Sequence, residues 1–323
     1  MAMMLNELIV PYKINASADV VLLGAPYDRT ASYRRGCAKG PAAILLSLLH
    51  QIEPYDRWTD SVPAKSLTIS YLMMSGLNRA MPHTMISRVE RQYTALIRKN
   101  AFVFLLGGEH TVTLGALQAL ALRHPASEIT VFQIDAHLDL HDTDADYRAD
   151  SYGKYAHSTV MRRACDLGYK CVSVGARAYA KEEMDLAREK GISVFEWKGH
   201  KAPTPSAIVD AISTDSVYVT LDVDGIDPAY MPATGTPVQG GLEWYYTLEL
   251  LREVFKKKKV VGADIVEVAP RPGDVATEYG AAQLCYSMIG FLNGSEKTSL
   301  KTGPFKGKNN GANENVLDKR RRR

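Results

Sequence analysis

The chain lacks what several architectures would need. None of its 323 residues belongs to an unbroken apolar run of the roughly 18 to 20 residues that a membrane span requires. The opening MAMMLNELIVPYKI has neither the basic start nor the sustained apolar stretch of a secretory signal. A spanning or exported protein is therefore not expected, and the expected location is the cytoplasm. Cysteine is scarce: Cys37, Cys165, Cys171 and Cys285 are scattered without a C-x-x-C pair. That argues against a disulfide frame or a zinc knuckle and reads as reduced thiols. No internal repeat of roughly 20 to 50 residues is evident, which argues against a solenoid or propeller.

Strong charge imbalance is also missing from most of the chain. The net charge is +3, but residues 295–323 alone contribute +6 from nine Lys/Arg and three acids, so the body before them is −3. That tail, closing on KRRRR, is rich in Gly, Asn and Lys and too poor in apolar residues to fold alone. It is expected to be disordered, and its cations read as a solvated end, a nuclear address or an anion patch. The run Lys256 to Lys259 reads as the cationic last turn of a helix. No nucleic-acid or membrane partner is expected.

What is present is an ordinary globular composition, 46% hydrophobic and 23% charged, long enough for one large core over residues 1–294. Six apolar, β-branched runs recur: 19–26, 102–108, 129–135, 170–176, 216–222 and 260–268. Between them lie segments of helical spacing, such as Ile86, Val89, Tyr93, Leu96 and Ile97. Strands without polar alternation, separated by amphipathic helices, imply a parallel sheet covered on both faces, a doubly wound α/β domain.

Chemistry gathers where these strands should end. Gly107–Gly108–Glu109–His110 follows the second run, Asp135, His137 and Asp139 the third, Asp222 and Asp224 the fifth, and Glu267 closes the sixth. Open α/β sheets bind ligands beyond the carboxyl ends of their strands, so these groups have a place to meet. If each segment is extended, alternate residues share a face, and each set can point at one spot. Four carboxylates around one cleft repel, and two divalent cations would cancel them. Oxygen-rich ligation with two imidazoles and no thiolate favours Mn²⁺, with nickel and cobalt open.

GGEHTVT, DAHLD, TLDVDGIDPAYMPATGTPVQGGL and ADIVEVAP resemble the signature regions of the ureohydrolases, the arginase/agmatinase family of binuclear manganese enzymes, and the likeness spans roughly residues 18–293. The resemblance implies a three-layer α/β/α fold with a mainly parallel sheet, two Mn²⁺ per subunit, and hydrolysis of a guanidino group to urea and an amine. It also implies a trimeric or hexameric homo-oligomer. Carried over by position, the metal ligands are His110, Asp135, His137, Asp139, Asp222 and Asp224. Glu267 matches the carboxylate that pairs with the guanidinium, His157 the proton-shuttling histidine, and Asp139 doubles as acceptor of the attacking water's proton. Asp227 is expected to shape the turn that supports the ligands.

Arginase-type members carry an asparagine two places after the position of Asp139, as part of a grip on the amino-acid end of the substrate. Here the position is His141, a candidate contact for a different tail. GGEH, SYRRGCAKGPAAI and HSTVMRR look more like agmatinases, so agmatine, yielding putrescine and urea, is the expected substrate. Asp142, Asp144, Asp146 and Asp150 are candidates to meet its ammonium; Arg148 and Arg177 would instead suit the carboxylate of guanidinobutyrate. Arginine is a further alternative. Two other classes stay open, a noncatalytic binding relative and a single-metal deacylase of the histone-deacetylase type; counting bound metal separates them.

Overall fold

The protein is described here by a computed structural model covering residues 4–14, 16–147, 152–199 and 202–294. The tail from 295 onward, Arg148 and Asp150 lie outside the described residues.

Nine strands form one sheet in which every pairing is parallel. In chain order they are β1 (Ile9–Pro11), β2 (Val20–Ala25), β3 (Ile69–Met73), β4 (Phe102–Gly107), β5 (Ile129–Ile134), β6 (Lys170–Val174), β7 (Ser193–Phe195), β8 (Ser216–Asp222) and β9 (Lys259–Val266). Across the sheet the order is β1-β3-β2-β4-β9-β8-β5-β6-β7. All six expected strands are present. The additional three, β1, β3 and β7, are short and lie at or next to the sheet edges.

Every residue of β2, β4 and β5 is buried, and alternation decides only which face each serves. Phe102, Phe104 and Leu106 point into one apolar layer with Val20, Leu22 and the helix Ala276–Gly294. Val103 and Leu105 point into the other, with Val21, Leu23 and the helix Pro82–Ile97. In that helix Ile86, Val89, Tyr93, Leu96 and Ile97 are all buried, and Pro82 opens it where no backbone donor is needed. The result is the three-layer α/β/α arrangement.

The connections position the site. The chain passes from β4 to β5 across β9 and β8, which are added last, so β4, β9, β8 and β5 become neighbours at the middle of the sheet. Loops distant in sequence thus leave one sheet edge side by side, where the order of winding reverses. Among the described residues no helix is long and apolar enough to cross a membrane.

Candidate metal and active site

The six expected ligands come together at the carboxyl ends of those four strands. His110 Nδ1 lies 2.9 Å from Asp139 Oδ2, 3.2 Å from Asp135 Oδ2 and 3.5 Å from Asp222 Oδ2. His137 Nδ1 lies 3.1 Å from Asp224 Oδ2 and 3.5 Å from Asp135 Oδ1. Ligand atoms of His110, Asp135 and Asp222 fall within 4.8 Å of one another, as do those of Asp135, His137 and Asp224, so Asp135 belongs to both groups.

The route to this convergence differs from the extended segments expected above. After β5 the chain turns at once: the Asp135 carboxylate accepts the His137 N–H at 2.6 Å, and Asp139 sits at φ +52°. After β8 a short 3-10 turn, Val223–Gly225, does the same work, with Asp222 Oδ1 accepting the Asp224 N–H at 2.9 Å. Asp side chains readily cap turns two residues on, so the acids that face the cleft also bend their own loops. Two close approaches complete the arrangement. A Cβ on Gly108 would come within 2.0 Å of the Tyr27 backbone, and one on Gly225 within 2.6 Å of the Asp135 backbone. Only glycine lets these loops pack so tightly.

Outer partners hold the ligands in place. Thr220 Oγ1 gives its one hydrogen to Asp264 Oδ1 at 2.6 Å, so it must accept from His110 Nε2, 2.8 Å away. That keeps a proton on Nε2, so Nδ1, facing three carboxylates, is the nitrogen that would offer a lone pair to a cation. Tyr218 and Thr113 donate to the second oxygen of Asp264. Asp135 accepts from Gln133, Asp224 from Ala136 N and Thr236, and the Asp139 carbonyl from Met161 N and Arg162 N. Asp227 accepts three backbone N–H groups, from Ala229, Gly240 and Gly241.

The electrostatics show a cluster short of positive charge. Burial and then the neighbouring Asp135 push Asp139 up to about 7. Burial, Asp224 and Asp135 push Asp222 well above the carboxylate range. Burial works against a charge on the imidazoles, but the surrounding acids prevail: His137 is pushed up to about 12, with Asp224 the leading acid, and His110 well above its ordinary value. His110 Nδ1 is buried and finds no hydrogen-bond geometry among the described residues. An orphaned nitrogen facing three carboxylates is what a divalent cation would satisfy, so the donor set fits the pair of metals that the family likeness implies.

Beside the cluster, Glu267 stands at φ +65°, a conformation costing roughly 1 to 3 kcal/mol when the residue is not glycine. Its Oε1 accepts the His110 N–H at 2.7 Å, and burial, then Glu109, push it up to about 8. His157 Nδ1 lies 4.0 Å from that oxygen, while Nε2 accepts the Ser32 N–H at 3.2 Å and meets Ser32 Oγ at 2.9 Å. Burial lowers His157 to about 4, so its ring is neutral near pH 7.

A cavity of about 280 Å³ runs outward from His137, Asp139 and His157 to His141, Tyr179 and Glu183. Glu183 Oε2 is 3.3 Å from His141 Nε2. Glu183 was not singled out from the sequence, where its visible signal is a helix-start glutamate in AKEE; it accepts the Ala180 N–H at that helix end and the Leu140 N–H across the cleft. The acids expected to meet an ammonium tail are engaged with other groups, although Asp144 Oδ2 stands behind the cavity wall, 3.9 Å from His157 Nε2. Asp142 pairs with Arg163 at 2.7 Å, and Asp144 accepts Ser158 Oγ and Asp146 N, so none of these three lines the cavity. Arg177, expected to suit a carboxylate tail, spends its donors on five backbone carbonyls, those of Gly175, Asp224, Gly225, Val238 and Gln239. A guanidinium has five N–H donors, so this one is fully committed.

Comparison with known proteins gives the family. A profile of the arginase family matches residues 18–290. The chain is 37% identical over 302 residues to an N(1)-aminopropylagmatine ureohydrolase of Synechocystis sp., covering 91% of this chain and 95% of that one. It is 31% identical over 292 residues to a guanidinobutyrase of Pseudomonas aeruginosa, covering 85% and 87%. Among solved structures, the agmatine ureohydrolase of Thermoplasma volcanium superposes with a TM-score of 0.75 at 30% identity, covering 85% of this chain and 90% of that one.

Proposed function

The chain belongs to the arginase family and is an agmatinase-like hydrolase, and from that premise we propose that it cleaves amine-tailed guanidines, agmatine first among them, to urea and an amine, using two Mn²⁺. The observation that carries the reading is the convergence of the buried His110, Asp135, Asp139, Asp222 and Asp224 with the half-buried His137, Asp135 being common to both ligand groups.

His110, Asp135, Asp139 and Asp222 would hold one cation, and His137, Asp135 and Asp224 the other. Bound there, the pair lowers the pKa of a water toward about 7 and so supplies a nucleophile at neutral pH. Glu267, with one oxygen pinned by the His110 N–H, offers its remaining lone pairs to the guanidinium and fixes the carbon that is attacked. Asp139 would take the proton that the attacking water releases, its Oδ2 lying among the candidate ligands 2.9 Å from His110 Nδ1. His157 has its Nε2 filled by the Ser32 N–H, so the neutral ring carries its proton on Nδ1, the nitrogen turned toward Glu267. Because a neutral imidazole can release that hydrogen only as Nε2 takes up another, His157 would serve the leaving amine as a relay, with Ser32 Oγ, 2.9 Å from Nε2, on the side where the replacement proton arrives.

The tail of the substrate follows the cavity. Its outer wall carries the Glu183 carboxylate, which favours an ammonium end, and Arg177 is not free to greet a carboxylate. The relatives divide between amine and acid tails, so selectivity needs its own test. A urea-release assay after Mn²⁺ loading, run on agmatine, N1-aminopropylagmatine, guanidinobutyrate and arginine, should give the two amines at least ~10-fold higher kcat/KM than the two carboxylates. Preference for guanidinobutyrate or arginine would contradict the tail assignment, and no urea from any of them the whole reading.

A further inference from the structure

Two of the scattered cysteines meet in space. Cys165 stands in the last turn of the helix Val160–Asp166 and Cys171 lies in β6, with their sulfurs 3.7 Å apart. A cavity of about 410 Å³ opens onto both, lined also by Thr130, Lys190, Ser193 and Ser213. Cys165 is partly exposed to it while Cys171 is buried. We propose that this pair is a site of reversible oxidation, closing to an intramolecular disulfide under peroxide-type oxidants, and that the helix carries the closure to Asp139.

The chemistry follows from the asymmetry of the pair. The hydrogen bond from the Cys171 thiol draws Cys165 below the ordinary thiol range and leaves Cys171 well above it, so Cys165 ionises first. Its thiolate attacks one peroxide oxygen, the O–O bond breaks, and a sulfenic acid and one water result. The Cys171 sulfur then attacks the sulfenic sulfur, the S–S bond forms, and a second water leaves with the Cys171 proton. Two thiols lose two electrons in total, and the peroxide gains them. External thiols reverse the step by exchange.

The structural consequence runs along the helix, about 10 Å long. At its first turn Met161 N and Arg162 N both donate to the Asp139 carbonyl at 3.1 Å. At its last turn stands Cys165. Bringing the two sulfurs to bonding distance draws that last turn toward β6, and the helix is too short to absorb the shift without disturbing its grip on a backbone already at φ +52°.

The test uses the whole protein treated with stoichiometric hydrogen peroxide. Peptide mapping should find residues 165 and 171 linked, with two hydrogens lost and recovery in dithiothreitol. In Cys171→Ser, dimedone should trap a sulfenic acid at Cys165; in Cys165→Ser, Cys171 should stay unlabelled. Hydrogen exchange at Met161 and Arg162 should quicken about tenfold in the linked form. Failure to link, or dimedone labelling of Cys171 in Cys165→Ser, overturns the proposal. A formed link with unchanged exchange at those two amides overturns its coupling to Asp139.

Discussion

Thr220 shows how much of the site depends on groups that never face the cleft. Its hydroxyl, tied to Asp264, decides which nitrogen of His110 carries a proton. Thr220→Val keeps the shape of the side chain and removes the acceptor; it should weaken Mn²⁺ affinity by about 10- to 100-fold, measured by cation titration, and cost about 1 to 3 kcal/mol of stability because His110 Nε2 and Asp264 Oδ1 each lose a buried partner. Neither residue was legible as functional beforehand, because each sits within an apolar strand and differs from its neighbours only in being polar. The candidate ligands were legible because side chains that cannot be buried singly recur at strand ends. What sequence could not convey was the left-handed backbone at Asp139 and Glu267 or the turns capped by Asp135 and Asp222. Alternation suggested strands there, and local hydrogen bonding overrode it.

The same residues set a pH dependence. His137, pushed up to about 12, and His110, well above its ordinary value, carry protons near pH 7 before any cation binds. A metal ligand must give up that proton, and so must Asp222, so loading releases protons and affinity falls as pH falls. Calorimetry in two buffers of different ionisation heat should count more than one proton released per chain around pH 7; uptake, or no exchange, would refute the electrostatic description.

At the scale of elements, the loops after β6 and β8 and the segment before the helix Trp244–Lys257 are tied together by Arg177 through five carbonyls. Lysine has three donors on a flexible stem and cannot match that planar fork. Arg177→Lys should therefore cost about 2 to 3 kcal/mol in urea-induced unfolding, the worth of two or three hydrogen bonds, and loosen Asp224. A loss below about 0.5 kcal/mol would show that the clamp is dispensable. The six central strands were readable from their apolar runs. β1 and β7 have three residues each, and β3 is buried only at its start; such strands are held by their neighbours more than by a pattern of their own.

For the whole molecule, four buried acids in one cleft repel one another, and bound cations would relieve that repulsion. Cations at 100 times their Kd add about 2.7 kcal/mol per site to stability. Chelation should accordingly lower the melting temperature by at least ~5 °C, and restoring Mn²⁺ should recover it. A melting curve indifferent to chelator would mean that the acids are neutralised by protons alone.

The account stands or falls on stoichiometry. Native mass spectrometry of the Mn²⁺-loaded chain should show two ions per polypeptide, and one or none in Asp135→Asn, which removes the carboxylate common to both ligand groups. A wild-type chain that saturates at a single ion, or at none, would contradict it.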